Sequence, residues 1–353
     1  MSEIRWGVMG AGAIAYRFAD ALEHDGGARL VAVSGRNAAR VAAFAERHPV
    51  APGRCYVSGG DGGAAAHERL VSDADVDAVY LALPHGLHAE WACKLLHAGK
   101  AVLCEKPAAL SEDEALRIAT AARDSGSLFV EAMKPRFTPV REHVKRLLDG
   151  GELGRIVSID VAHRLAYGDQ RGRYLLDPVQ GGTLYDLGCY GVAWVEDLLA
   201  GEIEDVHARV RWVAGNDGSA VDIADEVHAS VGGVPVHLDF AGDSEEYRVQ
   251  CAVRCERGDI VIPMFHRPSS LVLRRDGVEE VLDLPLEVDD FYGEVAHVCE
   301  LIRAGASESP VMPLDATVRC ARIIDVIRGA WPDPVLCDER AGAGGVEKVP
   351  ACG

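Results

Sequence analysis

An apolar run from Ile4 to Met9 ends in Gly10-Ala-Gly12-Ala-Ile-Ala15, and a helical pattern through Phe18 and Leu22 follows. Strand, glycine turn and helix in that order constrain the chain more than any other feature. This is the G-x-G-x-x-[G/A] fingerprint in the context that gives it meaning. Gly10 permits the tight turn, Gly12 lets the backbone come close to a pyrophosphate, and Ala15 lets the helix pack against the strand. A phosphate placed there meets free N–H groups at the positive end of a helix. A first half built as a doubly wound parallel sheet is therefore expected, with Gly10, Gly12, Ala13 and Ile14 against a dinucleotide.

The pattern after that turn supports the expectation. A strand at 29–33 leads to Ser34-Gly35-Arg36-Asn37 and a helix over 38–48. NAD-binding folds usually carry an acid at this strand end, which would repel a 2′-phosphate; a guanidinium can bind one bidentately. Ser34 and Arg36 therefore favour NADP(H), with NAD(H) still possible. A further buried strand over 75–83 ends at Leu83-Pro84-His85, and a helix follows to His97. Then comes Ala101-Val-Leu-Cys-Glu105-Lys106-Pro107, an apolar run that stops at a charged pair and a proline unable to donate to a ladder. Glu105 and Lys106 should sit at the carboxyl end of a central strand, where open α/β sheets bind ligands. Ser111 and Glu114 predict a capping box for a helix to about 125, and 128–133 reads as the next strand.

Beyond Lys134 the pattern changes. A helix over 139–148, a strand over 156–166 and a polar loop over 167–180 precede Gly181-Gly-Thr-Leu-Tyr-Asp186-Leu-Gly-Cys-Tyr190-Gly and a helix over 192–199. Strand-like runs follow at 206–213, 225–232, 234–240, 246–254, 258–262, 270–275 and 279–284. Their Gly- and Asp-rich turns predict an open, mostly antiparallel sheet, closed by helices over 291–304 and 314–330. The expected organisation is a dinucleotide-binding unit over 1–125, a substrate-binding and dimerisation α/β unit over 126–331 and a peripheral tail over 332–353. Apolar residues of the second sheet such as Val210, Trp212, Val236, Leu238 and Phe240 suggest a face needing cover, hence a homodimer or homotetramer.

A formal net charge of -19 argues against nucleic acid and anionic membrane as partners. No basic segment precedes the first strand and no stretch is long enough to span a bilayer, so a cytoplasmic location is expected. The ten cysteines read as core residues. Cys251 and Cys255 have no matching pair, and no metal site is expected; Asp225-Glu226 reads as a solvated strand end.

Four segments occur here in a fixed order: Gly10-x-Gly12-x-x-Ala15, Glu105-Lys106-Pro107, Glu131-Ala-Met-x-x-Arg136-Phe, and Gly181-Gly-x-Leu-x-Asp186-Leu-Gly-x-Tyr190. Together, over residues 4 to about 330, they resemble the glucose–fructose oxidoreductase/inositol dehydrogenase (Gfo/Idh/MocA) family, nearest in pattern to its dimeric dihydrodiol dehydrogenase-like branch. The resemblance implies hydride transfer between nicotinamide and a secondary alcohol or ketone of a sugar, cyclitol or cyclic diol. It implies catalytic roles for Lys106, Tyr190 and Asp186, and cofactor contacts that add Leu83, Pro84, His88, Glu105, Lys106 and Arg136 to those above. Lys134-Pro135 and Thr183 depart from the pattern, so the substrate does not carry over. The chemistry of the residues agrees: a free tyrosine has a pKa near about 10, and an ammonium at Lys106 would lower it. Two other functions stay open: a redox-neutral NAD-dependent glycosidase and a non-catalytic dinucleotide-binding sensor.

Overall fold

The structure, a computed structural model, describes residues 3–168 and 174–336. Part of the polar loop over 167–180 and most of the tail over 332–353 lie outside the described residues. Six short strands form the first sheet: β1 (Ile4–Met9), β2 (Ala28–Gly35), β3 (Cys55–Val57), β4 (Ala78–Leu81), β5 (Ala101–Cys104) and β6 (Phe129–Glu131). All pair in parallel in the order β3-β2-β1-β4-β5-β6. Alternation along β4 explains the continuous apolar run: Ala78 and Tyr80 enter one core, Val79 and Leu81 the other. A sheet covered on both faces has no solvent side to signal with polar residues. Helices α1 (Ala13–Leu22) and α2 (Ala38–Arg47) pack on the first face through Phe18 and Phe44. Helices α3 (Ala64–Val71), α4 (His88–His97) and α5 (Glu112–Ser125) cover the second through Leu70, Trp91, Leu95 and Ile118. Phe18 stacks on Tyr80 with centroids 4.1 Å apart. Strand order reverses between β1 and β4, which opens a crevice at their carboxyl ends. The sequence pattern left β3 and α3 unread.

Helix α6 (Pro139–Asp149) leads to a second sheet of eight strands: β7 (Ile156–Ala166), β8 (Ile203–Ala214), β9 (Ala220–Val231), β10 (Val234–Ala241), β11 (Asp243–Cys255), β12 (Gly258–Pro263), β13 (Ser270–Arg275) and β14 (Val278–Asp283). Their order is β14-β13-β12-β11-β7-β10-β9-β8, antiparallel at every pairing except β7 with β10. The expected α/β class with one parallel and one mostly antiparallel sheet is what forms. The chain crosses the inner face of this sheet through one wide π-helical turn, Leu184–Gly188, that continues as α7 (Cys189–Leu198). Gly188 and Gly191 make the crossing possible: a Cβ on either would come within 2.9 Å of the Phe240 ring. Helices α8 (Tyr292–Ala304) and α9 (Leu314–Gly329) complete the fold.

Two expectations fail here. Val236, Leu238 and Phe240 are buried in the chain's own core. The face away from the helices carries charged and imidazole side chains instead, among them His228, His237, Asp239 and Arg254. The argument for assembly from an apolar face therefore does not hold. Asp225 is 1% exposed, so it is not a solvated strand end. Cys251 and Cys255 are free and buried, and burial pushes their thiols up to about 12 and about 11. Among the described residues no helix is long and apolar enough to cross a membrane.

Candidate active site

The crevice at the first sheet's switch point is a cleft of about 970 Å³ that reaches across to the Leu184–Gly188 turn. Its outer end is made by the β1–α1 turn. Gly10 has φ +107°, and a Cβ there would lie 2.4 Å from the Ala82 carbonyl oxygen, so no other residue fits. Gly12 behaves differently: a Cβ would meet nothing within 4 Å, because that side faces the cleft. No side chain caps the start of α1 and its first turn holds no acid. The free N–H groups and helix dipole thus face open space of a kind that suits a pyrophosphate. Arg36 and Arg40 stand on the same rim, both exposed, and neither forms an ion pair among the described residues. Asn37 between them caps α2 by accepting from the Arg40 backbone N–H at 3.0 Å. The residues present fit a dinucleotide with an additional phosphate near its ribose.

The inner end is built around β5. The strand stops at Cys104, Glu105 N–H donates to the Leu81 carbonyl, and the Lys106–Pro107 peptide is cis. From β6, Glu131 accepts the Ala108 N–H at 3.0 Å and braces the turn from behind. Lys106 points across the cleft. Its ammonium donates to the Asp186 backbone carbonyl at 2.8 Å and lies 3.3 Å from Asp186 Oδ1. Asp186 also accepts from the hydroxyls of Tyr167 at 2.9 Å and Tyr174 at 3.3 Å. Burial alone would raise the Asp186 carboxyl, yet the Lys106 charge and the Tyr167 bond hold it below the usual range. Burial likewise disfavours the Lys106 ammonium, but Tyr190, Cys189 and Asp186 more than offset it, so the lysine stays charged.

Tyr190 lines the same wall. Its hydroxyl makes no hydrogen bond among the described residues. Lys106 Nζ lies over its ring, 4.6 Å from the centroid. This changes the expected electrostatics. Burial raises the Tyr190 pKa, and the opposing pull of Lys106 is too small to reverse it. Burial therefore favours the neutral phenol at Tyr190. Lys134 closes this end, bonded to Asp290 at 2.5 Å and set against the Phe291 ring.

Gly10, Gly12, Ala13, Ile14, Arg36, Leu83, Pro84, Glu105, Lys106, Asp186 and Tyr190 all line the cleft. Three expected residues do not. Ser34 is buried behind the wall and bonds His67 Nδ1 at 2.8 Å. His88 is also buried, its ring nitrogens 2.8 Å from the Pro107 carbonyl and 2.7 Å from that of Leu83. It fastens the loop after β4 to the Glu-Lys-Pro turn. Arg136 pairs with Glu196 and donates to the Ala193 carbonyl at 2.9 Å, pinning α7. Sequence reasoning missed several wall residues with polar side chains. Arg40, His67, Tyr174 and Glu294 line the cleft from elements distant in the chain. Burial pushes His67 down to about 4. It raises the Glu294 carboxyl well above its ordinary range, aided by Glu105.

Comparison with known proteins gives this geometry a lineage. Residues 4–132 match the model of the GFO/IDH/MocA "Oxidoreductase family, NAD-binding Rossmann fold". Residues 142–261 match the model of the GFO/IDH/MocA C-terminal domain. The chain is 30% identical over 331 residues to scyllo-inositol 2-dehydrogenase (NADP(+)) IolU of Bacillus subtilis, covering 92% of this chain and 96% of that one. It is 29% identical over 345 residues to trans-1,2-dihydrobenzene-1,2-diol dehydrogenase of Bos taurus, covering 93% and 96%. Among solved structures, the 3-ketoreductase KijD10 of Actinomadura kijaniata, in complex with NADP and TDP-benzene, superposes with TM-score 0.80. That pair is 28% identical, over 94% of this chain and 98% of that one. The chain belongs to the GFO/IDH/MocA family of oxidoreductases.

Proposed function

We propose that the chain is an NADP(H)-dependent dehydrogenase or reductase acting on a secondary alcohol or ketone of a sugar, cyclitol or cyclic diol. One observation carries the reading. A neutral phenol, Tyr190, whose hydroxyl has no partner among the described residues, shares a buried wall with a charged lysine, Lys106, in a cleft whose other end offers open helix N–H groups and two arginines without ion pairs among the described residues. NADP(H), when bound, supplies or takes the hydride. In the reducing direction Tyr190 gives its proton to the substrate oxygen as negative charge develops there. Lys106 stabilises that charge and the tyrosinate left behind. Asp186, accepting from Lys106, Tyr167 and Tyr174, keeps the lysine charged and aimed. Arg36 and Arg40 hold the ribose phosphate. The relatives' names, an inositol dehydrogenase, a dihydrodiol dehydrogenase and a sugar 3-ketoreductase, support the substrate class.

Sugars, inositols and cyclic diols screened with NADP⁺, followed at the NADPH absorbance, test this. Turnover of at least one class is expected. Substrate consumed without net NADPH would instead indicate the redox-neutral glycosidase, and binding without turnover the sensor. The reading includes a homodimer or homotetramer through the second sheet, which rests on the family resemblance alone. A monomer by light scattering at micromolar concentration removes that part.

A further inference from the structure

Away from the cleft, the helix-free face of the second sheet collects side chains of a different kind. Cross-strand pairing aligns His207 of β8 with His228 of β9, His228 with His237 of β10, and His237 with Asp160 of β7. Glu226 precedes His228 by two residues on β9, so both point to one face. The imidazoles of His228 and His237 stack with centroids 4.4 Å apart and planes 14° apart. His228 Nε2 lies 3.6 Å from Glu226 Oε1, and His237 Nε2 lies 3.8 Å from the same oxygen. One donor atom from each residue falls within 4.8 Å of the others. Metal–nitrogen bonds of about 2.0–2.1 Å in a tetrahedron place ligand atoms roughly 3.3–3.4 Å apart. The two distances to Glu226 Oε1 need only a small contraction, and the imidazole pair must tilt to bring both nitrogens onto one ion.

Two further observations point to a ligand. His237 Nε2 is buried and has no hydrogen-bond partner among the described residues, although it is turned toward the Glu226 carboxylate. The other nitrogen of that ring, Nδ1, faces Asp160 Oδ1 at 3.6 Å. A carboxylate on the far side of a metal-binding imidazole fixes its tautomer and raises its basicity. The nearby cations take the outer oxygens. Arg209 Nη1 is 3.6 Å from Glu226 Oε2, and Arg254 Nε is 3.8 Å from Asp160 Oδ2. Glu226 Oε1 is left for the imidazoles.

We propose that Glu226, His228 and His237 bind one divalent transition-metal ion of the zinc type, with Asp160 orienting His237 and a water completing the sphere. Two imidazoles and a carboxylate suit zinc, nickel or copper and not calcium or magnesium. All donors come from one chain, and none belongs to the cleft, so the site stands whether or not the dehydrogenase reading does. Its effect is to clip β9 to β10.

The test uses the full chain without an affinity tag, stripped by chelator and titrated calorimetrically with zinc chloride at neutral pH. One zinc ion per chain is expected, and zinc should raise the melting temperature. His228→Ala and His237→Ala should each weaken binding by at least about 10-fold and abolish the thermal shift. Asp160→Asn should weaken it by about 10-fold, the lower end of such outer-carboxylate effects. Binding should also fade on acidification, because protonated imidazole cannot ligate. If His237→Ala melts early without metal, His228→Gln carries the test with the buried ring intact. No zinc uptake by the wild type at about 100 µM, far above usual zinc affinities, would overturn the proposal. So would histidine variants that bind zinc as the wild type does.

Discussion

The two ends of the cleft are made on opposite terms. At the outer end Arg36 and Arg40 are exposed and without ion pairs among the described residues, in a chain whose net charge is -19. At the inner end Lys106 and Asp186 are mostly buried and bonded to each other, and Asp186 takes two more hydroxyls. An exposed cation is screened by salt and can be lost without harm to the fold. A buried ion pair broken on one side leaves an uncompensated charge, at a cost of about 3–5 kcal/mol. Cofactor choice should therefore be separable from stability, whereas catalysis should not.

The strongest way to break that contrast is at Lys106. Lys106→Ala should lower turnover by at least about 10²–10⁴-fold and cost roughly 3–5 kcal/mol in urea unfolding, because Asp186 loses its buried counter-charge. A variant that loses activity with unchanged stability would show that the inner end is not tied to the fold. Next comes Tyr190→Phe, expected to reduce kcat by about 10²–10⁴-fold while dinucleotide binding, followed by fluorescence titration, stays intact. Combining it with Lys106→Met should add little to either loss, as for groups acting as one unit. Should Tyr190→Phe keep near wild-type turnover while Lys106→Met is inactive, the lysine is the proton donor.

The outer end predicts smaller effects. Arg36→Ala should weaken NADP(H) by about 1–3 kcal/mol, leave NAD(H) nearly unchanged and not alter the unfolding midpoint. Removing Arg40 as well should deepen the loss. Equal losses for both cofactors would deny these arginines any part in reading a 2′-phosphate. The smallest effect concerns the support of the Gly181–Asp186 segment. Thr183 Oγ1 lies 3.1 Å from Asp222 Oδ2 and 3.0 Å from Asp225 Oδ2, and Leu184 N–H donates to Asp222 at 2.8 Å. Burial and then the Asp222 charge raise the Asp225 carboxyl well above its ordinary range. A carboxyl raised by folding contributes fully below its unfolded pKa of about 3.9, and that contribution is lost as pH climbs toward the folded value. Asp225→Asn keeps the neutral form at every pH. Its unfolding free energy should fall less than that of the wild type from acid to neutral pH, by about 1 kcal/mol. Parallel pH profiles would mean Asp225 is ionised in the folded chain.

What the sequence revealed was local or strictly periodic. The Gly10–Ala15 turn, the end of β5 at Lys106 and every strand except the short β3 were legible because each depends on neighbours within a few residues. The misreadings share the opposite cause. Asp225 reads as a polar strand residue until the Gly181–Asp186 segment is laid over it. Arg136 reads as a cofactor cation until Glu196, sixty residues on, is seen to neutralise it. Arg40 is an ordinary helix arginine in one dimension, and only the position of α2 brings it to the rim. His228 and His237 become partners only once the β9–β10 register is known. Tyr190 lines the cleft, as its motif suggested, but the balance between burial and Lys106 is a property of depth, which residue type does not encode.

The π-helical turn Leu184–Gly188 sits between two fixed anchors. Upstream, Thr183 is held by the buried acids; downstream, α7 is seated on Phe240 through Gly188 and Gly191. Taking out one residue would rotate one anchor against the other by about 100°, and no side-chain adjustment could absorb that phase error. Asp186 would then swing off Lys106 although every named residue was still present. This stretch can thus vary in chemistry at its buried positions, whereas its residue count is fixed by the distance it must wind across. Insertions and deletions here should be lethal to activity in a way that point changes at Leu184 or Cys189 are not.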